Sequence, residues 1–230
     1  MEEAIVLLAV TRMLSGFCIA GIDERGTWKR PVKPSGALLL GDVSYRDRTL
    51  MRPFDRVFLD LGQPTPDPPH VEDYQCDFVR RRPSLIERLE GDERRQFLAD
   101  WAEPGPQPLL DLSRSLILFR ANRIATAFRL DPDSRRYQVR VRLEGIGDDA
   151  GLPCSDLRWR ALGRSLLPPS GGVAKLTNAR VRERLGAEAI YVALGLARQL
   201  NGAYSPLVIG IHGVPDYVPD YDVTVDPARP

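Results

Sequence analysis

Residues Val10–Val32 read V-T-R-M-L-S-G-F-C-I-A-G-I-D-E-R-G-T-W-K-R-P-V. The stretch predicts three short strands in succession: one ending at Val10, one from Phe17 to Ile22, one from Thr27 to Val32. Gly16 separates the first two. Asp23-Glu24-Arg25-Gly26 joins the last two, with a glycine where a hairpin loop needs positive φ. Pro31 marks the end of the third strand, because proline has no N–H to give a ladder. The result is an antiparallel meander displaying Arg12, Trp28 and Arg30.

Working outward, Ile5–Val10 is an apolar run short enough for a buried first strand. Residues 34–53 are polar and arginine-rich and predict no particular element. Phe54–Leu61 and Tyr74–Val79 read as strands, and the segment between them, Gly62–His70, carries four prolines and reads as a loop. Ser84 and Glu87 have capping-box spacing, which predicts a helix starting there and interrupted near Gly91. A second helix is expected over Glu93–Trp101, with Phe97 and Trp101 one turn apart. Pro104-Gly-Pro-Gln-Pro108 then reads as a linker.

The second half repeats this strand-rich logic. Ser115–Leu130 is long for one strand and predicts a sharply bent one, of the kind that serves both sheets of a small barrel. Tyr137–Leu143 alternates: Tyr137, Val139, Val141 and Leu143 on one side, Gln138, Arg140 and Arg142 on the other. Leu157–Ala161 alternates too, predicting a strand with Trp159 inward and Arg158 and Arg160 outward. A helix is expected over Leu176–Leu185, stopped by Gly186. Ala189–Leu196 and Pro206–Gly213 are two further apolar strands. The order β-β-β-α-β-β is that of an OB barrel.

The opening pattern T-R-x-x-x-G-x-C-x-A-G-x-D-x-x-G-x-W-x-R-P, from Thr11 to Pro31, resembles the start of the bacterial dual OB domain-containing proteins. Tyr191–Arg198 and Val208–Tyr217 extend the resemblance to the far end of the chain. It implies two OB-like barrels and a nucleic-acid role, often in loci that defend against foreign DNA. It implies no established enzymatic activity and carries over no catalytic residue. The expectation is a mainly β protein of two consecutive OB-like antiparallel β-barrels with short helices. Their bounds are 1–103 and 110–214, with a linker at 104–109 and an acidic tail at 215–230.

Composition narrows the function. The chain has 230 residues, 43% hydrophobic, enough to bury a core. Its net charge of +1 conceals an asymmetry. Residues 1–110 hold 15 basic and 18 acidic side chains, residues 111–230 hold 17 and 13, so the second half is the better anion binder. Aromatics are only 7%, which limits base stacking. Cys18, Cys76 and Cys154 stand far apart and are odd in number, which argues against a disulfide framework or a zinc ribbon and for a reducing cytoplasm. The apolar run after Glu2-Glu3 lacks the flanks of a signal peptide, and no window reaches the length of a membrane span.

The leading site is an arginine face. Arg140 and Arg142 would lie beside Arg158 and Arg160 if their strands pair, and like charges so placed call for an anion over them. Arg123, Arg129, Arg135 and Arg136 extend it. The anion is a nucleic-acid backbone, an acidic partner protein from the same operon, or the chain itself, through its acidic tail at Asp216, Asp220, Asp222 and Asp226 or the acidic Asp55–Asp77 segment. A smaller set on the first barrel, Arg12, Trp28 and Arg30, is either a stacking platform or a core tryptophan with two arginines nearby. The loop Gly171–Thr177 lacks phosphate-loop spacing, though Lys175 and the helix after it could touch a phosphate; a nucleotide-sensing protein built on this loop is the weakest of the function readings. His70 and His212 are the only histidines, too few for a catalytic triad or a histidine zinc site. The carboxylates Asp220 and Asp222 could hold Mg²⁺ only with a partner; a solvated tail is the plainer account. No cofactor, metal or catalytic residue is therefore expected.

Overall fold

The computed structural model describes residues 2–13, 16–198 and 202–217. Contacts divide the chain into two compact units: Met1–Ala102 with Gln107–Ile117, and Glu103–Pro106 with Leu118–Pro230. The segment 104–109, expected to be a linker, falls across this exchange. The protein is mostly β. Among the described residues no helix is long and apolar enough to cross a membrane.

In the first unit, β1 (Glu2–Met13), β2 (Gly16–Asp23) and β3 (Trp28–Val32) form the expected meander. Gly26 takes φ +80°, and Asp23 accepts from the amides of Arg25 and Thr27 to close the turn. Pro31 does not end β3. It lies inside the strand, whose other edge takes a parallel neighbour, β5 (Asp73–Cys76). β4 (Asp55–Pro64) pairs with β5 on one side and β1 on the other. The ladder therefore runs β1-β2-β3-β5-β4 and returns to β1, the Greek-key arrangement of an OB barrel.

Ser84-Leu-Ile-Glu-Arg88 is not a helix but β6, an exposed strand paired with the Asp55–Phe58 end of β4. The capping-box spacing was outweighed by the ladder that an unpaired β4 edge offers. The helix α1 (Gly91–Trp101) starts seven residues later and closes on the meander: a Cβ on Gly26 would sit 2.1 Å from the Trp101 ring. After α2 (Gln107–Leu110), buried Glu72 holds the chain. Its carboxylate accepts from Ser115 N and Oγ (2.8 Å each) and Leu116 N (3.0 Å). Such a carboxylate is tolerated in a core only because it is fully hydrogen-bonded.

In the second unit the expected bent strand is broken at residues 121–123. Its parts, β7 (Leu116–Arg120) and β8 (Ile124–Leu130), belong to different sheets. β9 (Tyr137–Leu143) follows β8 through a hairpin and shows the expected alternation, with Tyr137, Val139, Val141 and Leu143 buried. The strand predicted at Leu157–Ala161 is instead a helix, α3 (Leu157–Ser165). The edge strand is β10 (Leu152–Pro153), just before it.

Asp156 explains the difference. It caps α3 by accepting from the amides of Arg158 (2.8 Å) and Trp159 (3.3 Å), and its other oxygen accepts from Ile211 N (2.8 Å). Five alternating residues are too few to separate the two periods once a cap is present.

β11 (Gly172–Leu176) then pairs with β8, and α4 (Asn178–Leu185) ends at Gly186 with φ +58° as expected, although it starts two residues later. β12 (Ala189–Leu196) and β13 (Pro206–Val214) form a sheet with β7. Cys154 bridges Val208 of β13 in parallel, linking the β10 end of one sheet to the other. Strand order thus repeats that of the first unit, with α3 where an OB barrel carries its helix.

Candidate nucleic-acid interface

Register places the basic residues of the second unit. Lys175 on β11, Ala127 on β8 and Arg140 on β9 form one cross-strand row. Val173, Arg129 and Gln138 form the next, and Ala125 faces Arg142. Because side chains alternate, all of these lie on the face opposite Phe128, Val139 and Val141, which are buried. Arg129, Arg140, Arg142 and Lys175 are exposed. Adjacent strands sit about 4.8 Å apart, so Lys175 and Arg140 flank Ala127 across about 10 Å.

No carboxylate belongs to these rows. Arg129 leans on Asp131 at 3.6 Å, at the mouth of the hairpin. Arg140 donates to the Gly151 carbonyl (3.2 Å), which orients the guanidinium without neutralising it. Among the described residues, Arg142 and Lys175 have no acidic partner. Arg135 and Arg136 are exposed in the β8–β9 hairpin loop, and Arg123 is exposed at the corner between β7 and β8. Among the described residues, these rows hold no aromatic side chain. Its centre is Ala125 and Ala127, small enough for a ligand's backbone to lie close to the sheet.

Arg158 and Arg160 are not on this face, which corrects the four-arginine arrangement expected from sequence. Arg158 is 7% exposed and lies over the Tyr217 ring at 4.7 Å. It donates to the Asp216 carboxylate (3.2 Å) and to the Tyr217 carbonyl. The acidic tail therefore takes this arginine, through Asp216; Asp220, Asp222 and Asp226 lie outside the described residues. Arg160 lies over the Tyr137 ring at 4.9 Å and donates to Cys154 O. Lys175, expected in a loop, is brought onto the face by β11, a strand whose glycine start and short length left little periodicity to read.

Arg12, Trp28 and Arg30 of the first unit all have contacts within the chain. Trp28 is 4% exposed, Arg30 is paired with buried Asp73 at 2.5 Å, and Arg12 lies 5.7 Å from the Phe17 ring centre. β2 and β3, the strands corresponding to β9 and β10, are buried along most of their length. His70 and His212 are both in the interior. Burial raises the Cys76 thiol to about 12 and raises Cys154 as well, so neither is a nucleophile at neutral pH.

Complete burial raises the Asp156 carboxyl to about 6, against the opposing influence of Arg158 and three backbone amides. The ordinary value is about 3.9. Between about pH 4 and 6 the unfolded chain gives up this proton while the folded chain keeps it, so stability falls as pH rises through that window. The wild-type protein is expected to lose about 2–3 kcal/mol more over the window than Asp156→Asn, whose own stability is lower throughout because an amide donor faces Ile211 N. Urea unfolding of both at pH 4, 5, 6 and 7 measures it, and parallel profiles would refute the assignment.

No curated protein and no solved structure matches the chain. The family model described as the dual OB-containing domain matches residues 3–146, from β1 of the first unit to the end of the β8–β9 hairpin of the second. A match across more than half the chain, over units that share one strand order, places this protein in the dual OB-containing domain family.

Proposed function

We propose that this protein binds a nucleic-acid strand through its phosphates, on the open face of the β11-β8-β9-β10 sheet. One observation supports the reading: Arg140, Arg142 and Lys175 converge on an exposed sheet face, floored by alanines, whose strand rows supply no carboxylate to match them among the described residues. OB barrels use this part of the sheet and the adjoining hairpin loop to hold oligonucleotides. Arginine suits the task because its planar fork meets phosphate oxygens in pairs. With no ring in these rows, among the described residues, for bases to stack on, the face reads backbone rather than sequence.

The test is fluorescence anisotropy with labelled 20-nucleotide single strands and duplexes of DNA and RNA. Binding should be salt-dependent, with a slope in log K against log salt of about −2 to −3 for three or four single-strand phosphates. Similar affinity for unrelated sequences is expected. Absence of binding at micromolar protein in low salt, or a flat salt dependence, would rule the reading out. Service in defence against foreign DNA is the setting in which such a backbone reader would act.

A further inference from the structure

The first unit carries a second basic feature, independent of the sheet face. Two turns, one around Tyr45–Thr49 and one around Asp77–Pro83, enclose a groove of about 500 Å³. Arg46, Arg81 and Arg82 line it, together with Tyr45, Pro83 and Leu85. We propose that this groove is a binding site for a mononucleotide, its phosphate held by Arg46 and Arg82 and its base laid against Tyr45, Pro83 and Leu85.

Charge is the first argument. The lining holds three guanidinium groups and one carboxylate, Asp47, whose Oδ1 is already engaged by Thr49 N (2.9 Å) and Thr49 Oγ1 (2.6 Å). Arg46 and Arg82 have no acidic partner among the described residues. Arg81 lies 5.0 Å from the Phe58 ring centre, which fixes its direction.

Preorganisation is the second. Asp47 ties the first turn to Thr49, and Tyr45 and Thr49 are joined across it by a backbone bond of 2.9 Å. Asp77 ties the second turn by accepting from Val79 N (3.0 Å) and Arg80 N (2.8 Å). Each turn spends its own aspartate on its backbone and presents its arginines outward, so little ordering remains for a ligand to impose.

The apolar wall is the third. The Tyr45 hydroxyl is committed to buried Asp55 at 2.7 Å, and Asp55 also takes Arg88 at 2.6 Å. The ring is thereby held in place with its polar end turned inward. Pro83 is buried and Leu85 is 44% exposed. Volume and lining suit a phosphate monoester with a planar group better than inorganic phosphate, which would fill only the basic end.

Calorimetric titration of the full chain with AMP, GMP, CMP and UMP tests this, with adenosine and inorganic phosphate in parallel. At least one nucleotide is expected to bind saturably, and adenosine and phosphate each about tenfold or more weaker. The double variant Arg46→Ala/Arg82→Ala, altered only at exposed positions, should keep the wild-type melting temperature and lose about tenfold or more in nucleotide affinity. Phosphate binding as tightly as nucleotide would overturn the nucleotide class. No saturable nucleotide binding, or binding unchanged in the double variant, would overturn the site.

Discussion

Replacing Arg140 and Arg142 together by glutamate is expected to weaken single-strand binding about 100-fold at low salt. On the proposed reading the change removes two phosphate contacts and puts two negative charges in their place. Both side chains are exposed on β9 and neither holds the fold together, so the melting temperature should stay near that of the wild type. The salt slope should also become shallower by about 1.4, two contacts at about 0.7 each. Arg158→Ala is the informative contrast. That guanidinium is buried between Asp216 and Tyr217, so its loss should lower stability by about 1–3 kcal/mol and leave the salt slope of the folded protein unchanged. A variant pair behaving the other way round would return the binding face to the arrangement first read from alternation.

Trp159→Ala is expected to destabilise the second unit by about 3–5 kcal/mol. Trp159 has no exposed surface. Its ring lies 5.9 Å from that of Phe128 and 6.0 Å, edge-on, from that of Tyr217. Its indole N–H donates to Thr126 Oγ1 at 3.3 Å. Truncation therefore leaves a large cavity and removes the surface on which α3 and the residues after β13 meet the β8–β9 sheet. The site is tight: a Cβ on Gly163, one helical turn further on, would come within 1.9 Å of the Phe128 ring. Guanidinium unfolding followed by circular dichroism gives the number, and a loss under about 1 kcal/mol would mean that Trp159 is not the keystone its packing implies.

Strand identity was legible wherever apolar residues alternate or run together. β2, β3, β9, β12 and β13 were read within a residue or two, while β1 extends past Ile5–Val10 at both ends; these strands were legible because one or both faces are buried and the period appears in the sequence. Turn chemistry was equally plain at Gly26 and Gly186, where positive φ is required. Misreadings fell where two local preferences compete. Ser84–Arg88 carries a helix-start spacing yet completes a ladder, and Leu157–Ala161 alternates like a strand yet follows a capping aspartate. In each case a distant partner settled the outcome: the edge of β4 in the first, Ile211 and the ring of Phe128 in the second.

The candidate binding face divides along the same line. Alternation in Tyr137–Leu143 is enough to say that Arg140 and Arg142 point away from the core, since a period of two is a property of the strand itself. Which other cations join them is a matter of register and of partners far along the chain. β11 carries Lys175 into the row of Arg140, while α3 turns Arg158 toward Asp216. Local covalent geometry determines which way a side chain leaves its own backbone; only the assembled sheet and the packed helix decide what it meets there.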